Sequence, residues 1–335
     1  MPLPHGIDLP FFEAARARIR GRVVETPIVR LVSGVVPEGG GVDPRGVVAT
    51  PSLDDRLGRD VWLKLECLQV TGSFKARGAL NRVLSLPPEE ARRGLVTASG
   101  GNHGLAVAFA GRSLGVPTTV YLPRLTPEAK AQRIERWGAR VVRVGDVWDD
   151  AHAAALEHAA KDGLTYVHPF ADPEVVAGQG TIALELFERA PDVDALVVAI
   201  GGGGLVSGVA AAARLLRPDV RVVGVEPVGA PTLYESIRAG HLVELPAITT
   251  KAGTLAPRKS DPYTFEIIRS VVDEIVLVTD DEMKEAARFL LANAGVGVEL
   301  SGAAAVAALL SKKVDLGDAK TPCALVCGAG VDACA

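Results

Sequence analysis

The chain has 335 residues, of which 48% are hydrophobic and 23% charged, and its formal net charge at pH 7 is −4. This length corresponds to about two domains of typical size. The normal apolar content excludes a largely disordered chain, and the small net charge argues against a dedicated nucleic-acid or membrane-surface binder. No apolar run approaches the roughly 18 residues of a transmembrane helix, and the N-terminal sequence does not resemble a signal peptide. We therefore expect a cytoplasmic protein that binds neither nucleic acid nor membranes.

The predicted elements alternate between strands and helices along the chain. Short, continuous runs rich in Val, Ile and Leu are typical of strands buried on both faces of a parallel sheet. They lie at residues 61–65, 94–98, 118–122, 140–144, 195–200, 220–225, 274–278 and 323–326. Amphipathic stretches rich in Ala and Leu predict helices at residues 73–86, 103–114, 127–137, 149–161, 179–190, 206–216, 280–294 and 301–312. This alternation predicts an α/β fold with parallel sheets, and the Gly- and Pro-rich residues 35–51 predict a loop.

The first segment that could carry chemistry follows the first predicted strand and reads TGSFKARGA at residues 71–79. Ser73 is a predicted N-cap, which places Lys75 in the first turn of a helix. The positive end of the helix dipole disfavours an ammonium ion there, and Schiff-base chemistry requires the neutral amine. Lys75 is therefore a candidate for such chemistry, although an isolated lysine is most often a solvated surface charge.

The second segment, TASGGNHG at residues 97–104, joins a predicted strand to a predicted helix. Backbone N–H groups at the helix start and the hydroxyl of Ser99 would suit a carboxylate ligand. An N-capped helix, with Asn102 or Ser99 as the cap and His103 on the surface, explains the same residues equally well.

The third segment places four consecutive glycines, Gly201, Gly202, Gly203 and Gly204, between a predicted strand and a predicted helix. Glycines permit close backbone approach, and the N–H groups at a helix start favour an anion such as phosphate. The pattern is neither GxGxxG nor a Walker loop. A dinucleotide site remains an alternative, because Glu226 ends the next predicted strand, where an acid that binds ribose would lie.

The fourth segment follows the last predicted strand. Cys327 lies at the carboxyl end of that strand, which is where ligands bind in open α/β sheets. A buried thiol that acts as an inert small hydrophobe is the alternative. The cysteines form no CxxC pair and have no partner at zinc-ligand spacing, so they predict reduced thiols and no metal site.

Together these segments resemble the pyridoxal-phosphate enzymes of the tryptophan-synthase-β fold (fold type II), in the branch of threonine and serine dehydratases and serine racemases. The resemblance extends from about residue 26 to the C-terminus. It is carried, in family order, by SFKARGA, SGGNHG, the four glycines, HPFADPEVVAGQGTIALE, GVEPVGAPTLYESI and ELSGAAA. It implies two open parallel-sheet α/β domains: a large cofactor-binding domain formed by residues 1–93 and 172–335, and a small domain, residues 94–171, inserted in it.

The resemblance also implies a role for each residue that matches a family motif. Lys75 would carry the covalent link to pyridoxal 5'-phosphate (PLP) and move the Cα proton. The other cofactor contacts would be Phe74 beside the pyridine ring, Asn102 at the 3-oxygen, Gly201, Gly202, Gly203, Gly204 and Leu205 at the phosphate, and Cys327 opposite the pyridine nitrogen. The loop that takes the substrate carboxylate would comprise Ser99, Gly100, Gly101, Asn102 and His103. Glu299 and Gly253 are further candidates for the site.

The activity that the resemblance implies is α,β-elimination of a β-hydroxy amino acid, L-threonine or L-serine, to a 2-oxo acid and ammonia. Alternatives are elimination on another β-substituted amino acid, such as 3-hydroxyaspartate or an intermediate of ectoine breakdown, and serine racemisation. An NAD-dependent oxidoreductase that uses the four glycines and Glu226 is the alternative from a different class. A homodimer is the family expectation.

Two departures from the family pattern bear on these alternatives. Serine racemases carry a Ser immediately before Gly-Asn-His in the carboxylate loop, where this chain has Gly100, so racemisation is not expected. At the family's divalent-cation site Glu226 and Ala230 match, but Thr232 stands in the place of an Asp, so no bound metal is expected.

Overall fold

The computed structural model describes residues 3–33, 45–52 and 55–330 of the chain. Its strands are, in chain order, β1 (Ile28–Ser33), β2 (Val48–Ser52), β3 (Val61–Lys64), β4 (Leu95–Ala98), β5 (Thr118–Leu122), β6 (Arg140–Arg143), β7 (Thr165–Tyr166), β8 (Ala195–Ala199), β9 (Arg221–Pro227), β10 (Glu274–Val278) and β11 (Pro322–Leu325). Its α-helices are α1 (Leu9–Ile19), α2 (Lys75–Leu84), α3 (Pro88–Arg93), α4 (Asn102–Leu114), α5 (Glu128–Arg136), α6 (Trp148–Asp162), α7 (Pro173–Arg189), α8 (Gly204–Leu216), α9 (Thr232–Ala239), α10 (Pro262–Val271), α11 (Asp280–Ala294) and α12 (Leu300–Leu310).

The larger sheet contains seven strands in the order β10-β9-β8-β11-β3-β1-β2. All neighbouring pairs are parallel except β1 and β3, which run antiparallel. Every residue of β8, β11 and β3 is buried, because helices cover a parallel sheet on both faces. The predicted α/β fold with parallel sheets is therefore confirmed, with one antiparallel pair that the sequence did not predict.

The smaller sheet contains four parallel strands in the order β6-β5-β4-β7. Helices α4, α5 and α6 pack against it. All four strands lie between residues 95 and 166, inside the segment predicted to form the small domain, whose boundaries at residues 94 and 171 stay a prediction. Within the part of the chain that the structure describes, no helix is both long enough and apolar enough to cross a membrane.

The predicted strands all form, and their ends differ from the observed ends by at most two residues. The loop prediction for residues 35–51 is wrong at its C-terminal end, where Val48–Ser52 forms β2, and residues 34–44 lie outside the described residues. Pro51 misled the prediction, yet it is compatible with β2, because β2 is an edge strand and leaves one row of backbone groups unpaired. Helices α1, α3, α9 and α10 and strands β1 and β7 were not predicted.

The predicted helices also form, but α7 begins at Pro173, six residues before its predicted start at residue 179. The side chain of Asp172 accepts hydrogen bonds from the backbone N–H groups of Glu174 and Val175. This cap, with a proline in the first helical position, is a sequence signal for a helix start.

Helix α2 connects the two sheets, because it packs against α4 on the smaller sheet and against α7 on the larger one. Seven of its ten residues are buried. Gly78 permits the close contact with α7, since a Cβ atom there would lie only 2.6 Å from the carbonyl oxygen of Val175. The first residue of α2 is Lys75, which therefore lies where the two halves of the molecule meet.

Candidate active site

Three of the predicted functional segments start from the carboxyl ends of neighbouring parallel strands. Strands β3, β11 and β8 are adjacent in the larger sheet, and the chain beyond them leads to Lys75, Cys327 and the four glycines, respectively. The loop that contains Ser99 follows β4 of the smaller sheet and is brought to the same place by the packing of α4 on α2. Ligands of open α/β sheets bind beyond these strand ends.

The segment that carries Lys75 is tied to the end of β11. The prediction that Ser73 caps α2 is wrong: the residue before the helix is Phe74, and no side chain caps the helix. Ser73 is extended and forms an antiparallel bridge with Gly328, while the N–H of Phe74 donates to the carbonyl of Cys327 at 3.2 Å. Backbone pairing with the β11 end thus replaces the side-chain cap.

The amine of Lys75 lies in a largely apolar environment. Its Nζ donates a hydrogen bond to the carbonyl oxygen of Pro169 at 2.7 Å and lies 5.0 Å from the centre of the Phe74 ring. Burial lowers the pKa of Lys75 to about 8, and the negative charge of Glu299 opposes this shift. The lowered pKa increases the share of neutral amine near neutral pH, which is the form that attacks a carbonyl carbon.

The turn that supplies the Pro169 carbonyl is held by a histidine. His168 Nδ1 accepts hydrogen bonds from the N–H groups of Phe170 at 3.2 Å and Ala171 at 2.7 Å. Burial lowers the pKa of His168 to about 4, so the ring is neutral near pH 7 and Nδ1 is free to accept. The same turn contacts Lys75 through Pro169 and the glycine segment through Phe170.

The four glycines form the connection from β8 to α8. Gly203 has φ +91°, a conformation that favours glycine, and a Cβ atom at Gly202 would collide with the ring of Phe170. A Cβ atom at Gly204 would lie 2.7 Å from the carbonyl oxygen of the same phenylalanine. Helix α8 begins at Gly204, followed by the buried Leu205, and the first N–H groups of a helix have no partner inside it. This cradle suits a phosphate group.

The loop predicted to bind a carboxylate forms a turn at the start of α4. Ser99 Oγ accepts a hydrogen bond from the N–H of Gly101 at 3.3 Å, and Asn102 begins the helix. The capped-helix alternative placed His103 on the surface, but the residue is buried. Its Nε2 contacts the carbonyl oxygen of Val167 at 2.9 Å. Burial lowers the pKa of His103 to about 3. Its imidazole is therefore neutral and packed inside the smaller unit.

A polar cluster connects this loop to Cys327. Asn102 Nδ2 donates to Oε1 of Glu299 at 2.8 Å, and the same oxygen accepts from the hydroxyls of Ser301 at 2.5 Å and Thr254 at 3.4 Å. Cys327 Sγ donates to the carbonyl oxygen of Ser301 at 3.3 Å. Burial raises the pKa of the Cys327 thiol far above neutrality, so this position presents an uncharged group.

The residues at the family's cation site are engaged in other contacts. Both carboxylate oxygens of Glu226 accept backbone hydrogen bonds at the start of α9, from Leu233 at 2.9 Å and Tyr234 at 2.7 Å. The hydroxyl of Thr232 donates to the carbonyl of Pro257 at 2.6 Å. Across residues 3–33, 45–52 and 55–330, no group of three or more His, Cys, Asp or Glu side chains could hold a metal ion. The Glu226 carboxylate is thus already engaged by backbone donors, which disfavours both a cation and a ribose hydroxyl as its ligand, and the absence of a bound metal stays a prediction.

The fold and the site define a class of protein. A lysine with a lowered pKa, a glycine cradle at a helix start and an uncharged thiol lie at the carboxyl edge of a parallel sheet, and this arrangement suits a PLP cofactor. Residues 40–328 match the family described as pyridoxal-phosphate dependent enzyme. The chain belongs to this family, whose cofactor is PLP, and the residues at the site fit that cofactor.

Known proteins similar to this chain fall in the branch that the sequence predicted. The L-threonine ammonia-lyase of Thermotoga maritima is 44% identical over 260 residues, which cover 78% of this chain and 65% of that relative. The chain thus spans slightly less than two thirds of that relative's length. The structure of maize serine racemase has a TM-score of 0.87 at 32% identity and covers 97% of this chain and 94% of its own. The processed form of threonine deaminase isoform 2 from Solanum lycopersicum has a TM-score of 0.85 at 33% identity, covering 96% and 89%.

The sequence did not identify Thr254, Ser301 or the turn at residues 168–170 as parts of the site, and it suggested Gly253 without assigning it a role. Thr254 lies in a short 3-10 turn, Gly253–Leu255, within an irregular segment that has no periodicity to reveal it. Gly253 itself is exposed and its N–H donates to the carbonyl of Lys251 at 2.9 Å. Ser301 and the turn at residues 168–170 lie in motifs that carried the family resemblance, and only tertiary structure shows what they contact.

Proposed function

We propose that this protein catalyses the α,β-elimination of a β-hydroxy amino acid, L-threonine first and L-serine second, to a 2-oxo acid and ammonia. The observation that carries the proposal is the half-buried Lys75 amine, which donates to the Pro169 carbonyl at the junction of the two sheets and whose pKa is lowered to about 8 by desolvation. The similarity to a protein named L-threonine ammonia-lyase supports the choice of substrate.

Bound PLP supplies the electron sink that stabilises negative charge at the substrate α-carbon. We assign its covalent attachment to Lys75, its ring face to Phe74, its phosphate to the N–H groups of the glycine cradle with Leu205, and its ring oxygen to Asn102. Cys327 faces the ring nitrogen in this assignment. Because the thiol is uncharged at neutral pH, it does not hold that nitrogen protonated, and the weaker electron sink favours elimination over transamination.

Lys75 also serves as the base in this proposal. Its neutral amine takes the α-proton of the substrate, and the β-hydroxyl leaves as water after it has gained a proton. Water is then consumed when ammonia is released, so that one molecule of L-threonine gives one 2-oxo acid and one ammonia. The backbone N–H groups of the loop at Ser99, Gly100 and Gly101, together with Asn102 and His103, orient the substrate carboxylate.

The geometry at Gly100 supports elimination over racemisation. A racemase needs a second acid–base group on the opposite face of the substrate, and the related serine racemases are expected to carry a serine at this position. A Cβ atom at Gly100 would lie 3.0 Å from Cγ2 of Thr126 and 3.6 Å from Cδ2 of Leu122. A side chain introduced there would start against these two residues instead of in open space.

The visible absorption spectrum of the purified protein tests the proposal. We expect a yellow band that changes when L-threonine or L-serine is added, with 2-oxo acid accumulating. Lys75→Ala should abolish band and turnover, whereas Lys161→Ala, at the exposed end of α6, should keep both. A band that is indifferent to both substrates would redirect the search to 3-hydroxyaspartate or another β-substituted amino acid. Full turnover by Lys75→Ala would overturn the assignment, and rapid conversion of L-serine to D-serine would favour the racemase alternative.

We further propose that the protein is a cytoplasmic homodimer, and that residues 94–171 close as a unit over the substrate. The family resemblance supports the dimer, and the position of α2 between the two sheets supports the unit motion. Light scattering at micromolar concentration tests the dimer, and a monomer would contradict it.

A further inference from the structure

One oxygen of Glu299 collects donors from three separate parts of the chain. Asn102, on the smaller-sheet side, donates at 2.8 Å, and Ser301 at the start of α12 donates at 2.5 Å. Thr254, from the turn after α9, lies at 3.4 Å and also donates to Ser301 at 2.6 Å. A carboxylate accepts and never donates while ionised, so Asn102 and Ser301 each present a hydrogen to it, while the single hydroxyl hydrogen of Thr254 is directed to Ser301 at the shorter distance.

The surroundings of Glu299 indicate that this contact is built into the fold. Glu299 occupies the N-cap position of α12, yet its side chain makes no capping hydrogen bond. The turn at Gly328 packs directly beneath the pair: a Cβ atom there would collide with Glu299 Oε1 and lie 3.3 Å from Asn102 Nδ2. The carboxylate is thus directed towards Asn102, where a glycine leaves space for it.

We propose that Glu299 is a positioning residue that fixes the carboxamide of Asn102, so that the second N–H of this amide faces the cofactor site beside Lys75. An asparagine amide could otherwise rotate and present its oxygen. Because Glu299 accepts only, it holds the nitrogen on its own side and excludes the rotated orientation. This inference rests on the proposed function, in which Asn102 donates to the anionic ring oxygen of PLP.

The charge of Glu299 has a second, separable effect. The titratable groups that face Lys75 are Cys327 beyond β11, Glu299 before α12, His103 on α4 and His168 before α7. The thiol and both imidazoles are uncharged near pH 7, which leaves Glu299 as the charge in this set. Removing it should lower the pKa of the lysine nitrogen, since a nearby negative charge favours the protonated form.

The experiment measures PLP affinity and the pH midpoint of the visible band in the holoenzyme. Glu299→Ala should weaken PLP binding roughly ten- to hundredfold, as expected for loss of a charged hydrogen-bond acceptor. Glu299→Gln keeps an oxygen acceptor and should move the band midpoint down by roughly half a pH unit or more. Glu188→Gln, which neutralises an exposed carboxylate paired with Arg16, should leave both readouts at the wild-type values.

A double variant shows whether Glu299 affects PLP affinity by positioning Asn102 or independently of it. If Glu299 acts on affinity through Asn102, Asn102→Ala/Glu299→Ala should bind PLP within about twofold of Asn102→Ala alone. The band midpoint should still shift when Glu299→Gln is made in the Asn102→Ala background.

Additive losses in affinity, or wild-type affinity in Glu299→Ala, would overturn the inference while leaving the proposed function intact. If Glu299→Ala fails to fold by circular dichroism, the comparison of PLP affinity is made with Glu299→Gln alone and in the Asn102→Ala background, and losses in affinity that add to that of Asn102→Ala would then overturn the inference. A wild-type protein that shows no visible band with PLP would overturn both the inference and the proposed function.

Discussion

A buried cluster of four ionisable side chains includes Arg77 of helix α2, and replacing this arginine tests how the fold accommodates charge in its interior. The cluster consists of Lys64, Glu66, Arg77 and Glu185, none more than 5% exposed. Arg77 donates to Glu66 at 2.8 Å and to Glu185 at 2.5 and 2.8 Å. Lys64 donates to Glu185 at 2.7 Å. Burial lowers the pKa of Lys64, and the charges of Glu66 and Glu185 oppose that shift, so Arg77 is the principal counter-charge of the two carboxylates.

The substitution Arg77→Met keeps an unbranched apolar chain but leaves both glutamates with Lys64 alone. One buried carboxylate then has no full counter-charge, and breaking a buried pair in this way costs about 3–5 kcal/mol. Domains are typically stable by about 5–15 kcal/mol, so the expected loss is a large share of the total. Urea unfolding followed by far-UV circular dichroism measures the change in the free energy of unfolding.

Two companion variants make the prediction refutable. Arg16→Met removes an arginine–glutamate pair at the surface, where the Glu188 side chain is 57% exposed, and should cost less than about 1 kcal/mol. Arg77→Met/Glu185→Met removes one charge of each sign and should be more stable than Arg77→Met alone, because a buried ion pair can often be replaced by apolar groups without loss. A loss below about 1 kcal/mol for Arg77→Met, or a double variant less stable than the single one, would refute the reasoning.

Three further predictions concern pH, packing and cations. Burial lowers the pKa of His168 from 6.5 to about 4, so its contribution to stability is complete above pH 6.5 and is lost as the pH falls towards 4. Thermal unfolding over this range should show less acid destabilisation in His168→Asn, whose Oδ1 can accept the same two N–H groups; an unchanged slope would contradict this. Gly202→Ala should cost about 1–3 kcal/mol in the urea assay through its clash with Phe170, whereas Gly253→Ala, with nothing within 4 Å of the added carbon, should be near neutral. Turnover of L-threonine should survive EDTA, because the backbone of α9 occupies the Glu226 carboxylate; a loss reversed by Mg²⁺ would indicate a cation site.

The strands that the sequence predicted well are those that read as short apolar runs. Strand β8 is buried along its whole length, and a strand covered on both faces reads as a continuous apolar run. Two of the missed elements lack such a run. Strand β2 lies at the sheet edge and contains Pro51, and α9 is a short helix that depends on the distant Glu226 carboxylate to satisfy its first N–H groups. The group that stabilises the start of α9 therefore lies outside the sequence of the helix itself.

The candidate site likewise contains residues that the sequence revealed and contacts that only the structure revealed. The glycine cradle could be proposed from local sequence, because a run of glycines at a helix start has chemical consequences of its own, whereas Lys75 was singled out by the family motif SFKARGA around it. The Asn102–Glu299 contact joins residues 197 positions apart, and no local property of either residue predicts it. The partners of Lys64 could not be predicted from the sequence either. It lies in a strand whose pattern is apolar, and only the fold reveals the two carboxylates that compensate its charge.

The buried charges and the candidate site share helix α2, which makes stability and activity difficult to separate in this protein. Arg77 follows Lys75 by two residues, and its guanidinium anchors the first turn of α2 to the 3-10 turn after β3 through Glu66 and to α7 through Glu185. Helix α2 also packs against α4, whose first residue is Asn102. A displacement of this helix would therefore move the Lys75 amine relative to both the glycine cradle and the carboxylate loop. A fully satisfied ionic cluster restricts such displacement more than apolar packing does, because its hydrogen bonds have fixed directions.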